Sequence, residues 1–257
     1  MKCTAAQAVE AFTYWLGYYE KATAKYAAYR DKKYFEMDKG SNNYTYAGSF
    51  CGIQGGAWCA MQVTTAIYEA CDGSRDDAKA VLFNVWPYAR CDQLYDAAPA
   101  ANKGKRDKWT PQAGDVIVFS SDGKTREHTG MVYAADGSYV YTMEGNSSNM
   151  CRKRSYLKSC SYIWGYVRPD YAAGGTVKET VEQYGELCCR DPELHILSKG
   201  VAGPEGKTIQ RILYARGIKD ADGNAIKVDG DFGKATKAGV ITLQKQLKLT
   251  QDGIVGA

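Results

Sequence analysis

The apolar residues near the N-terminus recur at the spacing of one helix face. They lie three or four positions apart, at Val9, Phe12, Leu16 and Tyr19, and this period is typical of an amphipathic helix. We therefore expect a helix that continues to about Tyr29. Glu10 interrupts the apolar run, and a secretory signal has no such charge in its apolar core. We expect the protein to be made without a signal peptide.

A polar tract and a second apolar run follow. Residues 38–56, DKGSNNYTYAGSFCGIQGG, are rich in glycine and asparagine, which favour turns and loops. The next run, AWCAMQVTTAIYEA, combines small and apolar residues and predicts a helix from about Trp58 to Ala70. This helix would begin directly after a glycine-rich loop.

Later in the chain, four short runs bounded by turn residues predict strands. They are DVIVF at 115–119, TGMVYAA at 129–135, SYVYTMEG at 138–145 and SYIWGYV at 161–167. Asp136-Gly137 stands between two of them and is a strong signal for a tight hairpin. Helices followed by hairpin-connected strands predict an α+β fold, with N-terminal helices packed on an antiparallel sheet.

The composition changes once along the chain. The segment AAGGTVKETVEQYGE, which begins at Ala172, has a Gly-Gly pair and few large apolar groups, as linkers do. We therefore expect a first domain over residues 1–171, a linker over 172–190 and a second domain over 191–257.

The second domain contains a weak internal repeat. Residues 208–213, TIQRIL, are echoed by 242–247, TLQKQL, and the D-G turn at 229–233 is echoed at 252–256. Each copy predicts a helix associated with a tight turn.

Charge and apolar content exclude several classes of protein. Lys and Arg number 33 and Asp and Glu 29, so the net charge is +4, which is too small to indicate a nucleic-acid partner. No stretch approaches the roughly 20 apolar residues of a membrane helix, so we expect no membrane partner. The basic runs at 103–108 and 152–154 are expected to be solvated. The oligomeric state stays open.

The chain has nine cysteines and two histidines. The cysteine number is odd, so at least one cysteine lies outside any internal disulfide. There is no C-x-x-C pair, which argues against a structural zinc site. We expect most cysteines to be small buried apolar residues.

Cys59 differs from the other cysteines because it stands just inside the start of the second helix, where the helix field favours a thiolate. His128 leads into a strand and could act as its base, whereas the only other histidine, His195, lies beyond the linker. Glu144 and Asn146 follow at the end of the next strand. Either side chain could accept a hydrogen bond from the far imidazole nitrogen, and the sequence leaves open which one does.

Taken in order, these motifs resemble the CHAP family, the cysteine, histidine-dependent amidohydrolases and peptidases. The matching stretches are W-C-A at 58–60, P-x-x-G-D-V-I-V-F at 111–119, H-T-G-M-V at 128–132 and E-G-N at 144–146. The resemblance implies a papain-like domain that hydrolyses cell walls, as in many phage endolysins. It implies that Cys59 is the nucleophile, His128 the base, Glu144 the orienting group and Asn146 a further polar member of the site.

Two further expectations concern the oxyanion and a metal. The backbone N–H of Cys59 is a candidate oxyanion donor, and Gln54 is a candidate second donor on its position alone. We expect no cofactor. Some CHAP domains carry structural calcium in the loop before the nucleophile, but here Asp31, Asp38 and several asparagines are too few ligands to support a calcium site.

The second domain resembles small three-helix peptidoglycan-binding domains through its T-[I/L]-Q-x-x-L helices and its D-G turns. Such domains continue into a closing helix after the second turn, so we expect this one to be incomplete at Ala257.

The combination predicts a peptidoglycan hydrolase of the endolysin type, with bacterial peptidoglycan as its partner. It would be made in the host cytoplasm and act on the wall after release. The Cys59 thiolate would cleave an amide bond, as an N-acetylmuramoyl-L-alanine amidase or as an endopeptidase. Two alternatives stay open: a non-catalytic wall-binding protein on a papain-like scaffold, and a secreted antibacterial effector with the same chemistry.

Overall fold

The computed structural model describes residues 1–175, 186–187, 204–247 and 249–255. The chain forms two compact units, Met1–Pro192 and Glu193–Ala257. Most of the expected linker, 172–190, lies outside the described residues.

In its described residues, the first unit combines five α-helices with a seven-stranded sheet. The helices are α1 (Ala5–Tyr14), α2 (Tyr46–Cys51), α3 (Cys59–Ala70), α4 (Arg75–Val81) and α5 (Gln93–Ala97). The strands are β1 (Lys103–Lys105), β2 (Val116–Phe119), β3 (His128–Ala135), β4 (Tyr139–Glu144), β5 (Arg152–Leu157), β6 (Ile163–Val167) and β7 (Glu186–Leu187). Their order in the sheet is β1-β6-β2-β3-β4-β5-β7. All neighbours are antiparallel except the β5–β7 pair, which is parallel. The α+β prediction is confirmed.

Alternation along the strands places a core on each face of the sheet. On β3, Met131 and Tyr133 join the core that contains α1 and α3, whereas Val132 joins a second core on the other face. Successive side chains of a strand point to opposite faces, so β3 is buried on both sides. The predicted hairpin at Asp136-Gly137 joins β3 to β4 and is confirmed. There Asp136 Oδ1 accepts from the backbone N–H of Tyr139 at 2.7 Å.

The prediction of a helix to about Tyr29 is wrong, because α1 ends at Tyr14. Gly17 then takes a left-handed conformation with φ +87°, and its N–H donates to Cys151 O at 2.9 Å. The chain turns so that Trp15 and Tyr18 are both fully buried. The apolar period therefore continues past the helix end because the turn is also packed in the core.

Two other expectations need correction. The polar tract 38–56 is not all loop, because α2 forms within it; Thr45 caps its start and Gly52 closes it at φ +71°. The basic run 152–154 is not wholly solvated, because it begins β5. Arg154 is buried there and donates from Nε to Ser147 Oγ at 2.9 Å, so a buried charge has found an acceptor.

The second unit contains α6 (Pro204–Ala215) and α7 (Lys234–Gln246) around a small apolar core. The predicted repeat is confirmed as two equivalent hydrogen-bonded turns. Gln210 on α6 accepts from Gly230 N at 2.7 Å and donates to Asp229 Oδ1 at 2.9 Å. Gln244 on α7 makes the same pair of bonds to the turn at 252–253.

Across the described ranges, no helix is both long enough and apolar enough to cross a membrane.

Candidate active site

The start of α3 positions Cys59. This residue opens the helix, and it is only 3% exposed. The preceding Trp58 anchors the helix start, since its buried ring donates from Nε1 to Glu20 Oε2 at 2.9 Å. N–H groups in the first turn of a helix have no intrahelical acceptor, and the N–H of Ala60 helps to lower the pKa of Cys59. The backbone of α3 therefore stabilises negative charge on this sulfur.

His128 lies at the first position of β3, with its ring stacked on Phe119 at a centroid distance of 5.6 Å. Its Nε2 donates to Glu144 Oε2 at 2.9 Å, at the end of β4. Glu144 is buried, and its other carboxylate oxygen accepts from Thr142 Oγ1 at 2.6 Å and from Tyr156 OH at 2.9 Å. Both oxygens of the Glu144 carboxylate are thus hydrogen-bonded. The other imidazole nitrogen of His128, Nδ1, is left to interact with the Cys59 thiol.

Gly130 and Gly145 allow the start of α3, β3 and the end of β4 to approach one another closely. A Cβ at Gly130 would lie 2.6 Å from Glu144 Cγ, and a Cβ at Gly145 would lie 2.8 Å from the ring of Trp58. Both distances are below van der Waals contact. The glycines in H-T-G and E-G-N therefore make room for the side chains on either side of the site.

The charges of the site support one another. The pKa of Cys59 lies well below its ordinary value because Cys91 and His128 donate hydrogen bonds to its sulfur, which outweighs its burial. Burial lowers the pKa of His128, but Cys59 and Glu144 together raise it to about 10. The His128 imidazolium holds the pKa of the buried Glu144 below its usual range. At neutral pH the site therefore contains a thiolate, an imidazolium and a carboxylate.

The CHAP domain family model matches residues 10–146, which is more than half of the chain and includes Cys59, His128 and Glu144. The chain belongs to the CHAP family. A peptidoglycan binding domain model matches residues 202–257. No curated protein matched the chain. A CHAP domain joined to a peptidoglycan-binding domain identifies a cysteine- and histidine-dependent amidohydrolase or peptidase that acts on cell-wall peptidoglycan.

The remaining expected members of the CHAP site have other surroundings. Asn146 takes a left-handed backbone with φ +56° just after β4, and among the described residues no hydrogen bond joins it to His128, which binds Glu144 instead. Gln54 donates from its amide to Thr45 O at 2.9 Å and to Ser49 Oγ. Because an amide has two N–H donors, Gln54 as placed has none left for an oxyanion, and its loop would have to rearrange first.

Sequence reasoning missed three contacts of the site. Cys91 Sγ lies 3.6 Å from Cys59 Sγ, but its segment carries no motif that separates it from the other cysteines. Tyr156 donates to Glu144 from β5, a strand that the sequence did not predict because its first three residues are the basic run 152–154. Thr142 could have been found, because it lies two positions before Glu144 on the same strand and therefore on the same face.

The carboxylates of Asp31 and Asp38, in the loop before the nucleophile, accept hydrogen bonds from residues of the protein itself. Asp31 accepts from Lys33 N at 3.0 Å, and Asp38 accepts from Thr23 Oγ1 at 2.6 Å. In the part of the chain that the structure describes, no three His, Cys, Asp or Glu side chains are grouped to hold a metal ion.

Proposed function

We propose that the protein is a phage-type endolysin that cleaves an amide bond of peptidoglycan through Cys59, either as an N-acetylmuramoyl-L-alanine amidase or as an endopeptidase. One observation carries this proposal. His128 is bonded through Nε2 to the buried Glu144 at 2.9 Å, and its interaction with Cys59 lowers the pKa of the thiol and raises that of the imidazole. A nucleophile, its base and an orienting group are therefore in contact, which is the arrangement that covalent amide hydrolysis requires.

The first half of the reaction forms a thioester. Cys59 Sγ attacks the carbonyl carbon of the substrate amide, and the carbonyl oxygen takes up the negative charge. The backbone N–H of Cys59, free at the start of α3, is the donor best placed for this oxyanion. The C–N bond then breaks as the His128 imidazolium gives its proton to the leaving amine.

The second half restores the enzyme. The amine departs with its proton, so His128 is now neutral and can remove a proton from water. The resulting hydroxide attacks the thioester carbon, the C–S bond breaks, and a substrate carboxylic acid and the Cys59 thiolate are formed. Glu144 stabilises the imidazolium in both halves and keeps Nδ1 directed at the sulfur.

The second unit supports the proposal by providing attachment to the wall. Its match to a peptidoglycan-binding domain supports binding of the substrate by the same chain that carries the hydrolase. Holding the enzyme on an insoluble polymer raises the local concentration of scissile bonds. The proposal includes synthesis in the host cytoplasm and action after release.

The test is hydrolysis of purified cell walls by the wild type and by Cys59→Ala. We expect the wild type to clear a wall suspension and Cys59→Ala to leave it turbid, with an unchanged melting temperature as the folding control. Mass spectrometry of the released fragments then assigns the bond. A free L-alanine amine shows amidase action, and a new amine within the stem or cross-bridge shows endopeptidase action. Clearing by Cys59→Ala would refute the proposal.

A further inference from the structure

We infer that Cys91 is a second functional thiol of the site, a hydrogen-bond donor that stabilises the Cys59 thiolate. The inference rests on the proposed function for its importance to hydrolysis, but its structural basis is independent. Cys91 Sγ lies 3.6 Å from Cys59 Sγ, and both thiols are buried. The sulfur of Cys91 is therefore in contact with the reacting atom, Cys59 Sγ. Neither the sequence motifs nor the family match assigns a role to Cys91.

The direction of the hydrogen bond follows from the surroundings of the two sulfurs. The His128 imidazolium and the Ala60 N–H both lower the pKa of Cys59, so negative charge is favoured there. For Cys91, the hydrogen bond to Cys59, burial and the adjacent charge of Cys59 all raise the pKa of its thiol. Two neighbouring thiols in one buried site do not both ionise. Cys91 therefore keeps its proton and donates a hydrogen bond to the Cys59 thiolate.

The backbone around Cys91 is fixed by side chains that are not part of the triad. Gln93 Oε1 accepts from the backbone N–H groups of Ala89 and Arg90 at 3.0 and 2.9 Å. Tyr88 is fully buried, and its hydroxyl donates to Thr129 Oγ1 at 3.1 Å. Thr129 is the neighbour of His128 on β3. The segment that carries Cys91 is therefore tied to the strand that carries His128. This link keeps the Cys91 thiol close to Cys59.

Cys91 also borders a cavity at the protein surface. It lines a surface cavity of about 350 Å³ together with Arg90, Asp92 and residues 124–126. We expect a small thiol reagent to approach the Cys59–Cys91 pair through this cavity, so that its reaction reports on the charge of Cys59 without any peptidoglycan.

The test compares two substitutions that separate donation from packing. Cys91→Ala removes the donor, whereas Cys91→Ser keeps an O–H donor of similar size. The readout is the rate of Cys59 alkylation by iodoacetamide as a function of pH, followed by peptide mapping, because only the thiolate reacts. Since one pKa unit corresponds to a tenfold change in thiolate population on the acid side, we expect Cys91→Ala to raise the apparent pKa by about one unit and to slow alkylation about tenfold there.

Cys91→Ser is expected to stay close to the wild type, and so is Cys51→Ala, a matched control that removes a cysteine from α2. The acid side of the pH profile for wall hydrolysis should move with the alkylation profile. An unchanged alkylation profile in Cys91→Ala, or equal shifts in Cys91→Ala and Cys91→Ser, would overturn the inference. A wild type that fails to hydrolyse walls but shows the expected alkylation shift would refute the proposed function and leave the role of Cys91 supported.

Discussion

Glu144→Gln tests how much of the charge of the site depends on one carboxylate. Glu144 is 1% exposed and contacts His128 at 2.9 Å. A glutamine oxygen can still accept from His128 Nε2, and the hydroxyls of Thr142 and Tyr156 can rotate to accept from its NH₂ group. The substitution therefore removes the negative charge while the geometry can be kept.

The expected magnitude follows from the type of bond that is lost. A hydrogen bond to a charged group contributes about 1.5–3 kcal/mol, which corresponds to about one to two pKa units. Glu144 raises the pKa of His128, which stands at about 10, so removing the charge lowers that pKa. Protonated His128 is needed to give a proton to the leaving amine, so activity is lost as pH rises through this pKa. We expect the alkaline fall in kcat/KM to move from about pH 10 to roughly pH 8–9.

The assay is the initial rate of wall clearing from pH 5 to 11 at constant ionic strength. At neutral pH a His128 with a pKa of roughly 8–9 is still mostly protonated, so we expect the loss of activity in Glu144→Gln to grow as the pH rises above neutrality. Glu69→Gln is the matched control, because Glu69 is a largely buried carboxylate bonded to Trp15 Nε1 at 2.9 Å, away from the triad. An alkaline limb that stays at the wild-type pH in Glu144→Gln would refute the electrostatic role of this carboxylate.

Three further predictions follow from other contacts. Gly130→Ala places a methyl group 2.6 Å from Glu144 Cγ, and overpacking of this kind costs about 1–3 kcal/mol; thermal unfolding should show this loss together with reduced wall hydrolysis. Gln244→Ala removes two bonds from Gln244 Nε2 and one to its Oε1, so co-sedimentation with peptidoglycan should fall while Cys59 alkylation stays unchanged; the exposed Gln246→Ala is its control. Hydrogen peroxide should oxidise the Cys59 thiolate to a sulfenic acid, which the Cys91 thiol then converts to a disulfide with release of water. Dithiothreitol should reduce this disulfide and restore wall hydrolysis. A peroxide-treated wild type without the Cys59–Cys91 disulfide would contradict the prediction.

The sequence was most informative where the chemistry depends on local order. Cys59 could be placed at a helix start because a glycine-rich loop precedes a regular apolar run, and the hairpin at 136–137 was marked by its turn residues. It was least informative where long-range packing decides the structure. The end of α1 was missed because Trp15 and Tyr18 keep the apolar period through a turn.

Buried polar residues show the same limit. Arg154 belongs to a basic run, and nothing in its neighbours along the chain indicates that Ser147 will accept from it. Cys91 and Cys59 are 32 positions apart, and only the packed fold brings their sulfurs to 3.6 Å. Residues of this kind cannot be found from periodicity, because their partners are set by how α3, the segment before α5 and the sheet come together.

The site is therefore a product of packing between separate elements, and this predicts how its parts should be coupled. The nucleophile is on α3, the base opens β3 and the carboxylate closes β4. Gly145 directly follows Glu144 and admits the ring of Trp58, which directly precedes Cys59. A substitution that displaces this glycine would move the carboxylate and the nucleophile relative to each other. Gly145→Ala and Glu144→Gln should then be non-additive in kcat/KM, since residues in contact share one interaction network. Additive losses would mean that Gly145 acts on stability alone.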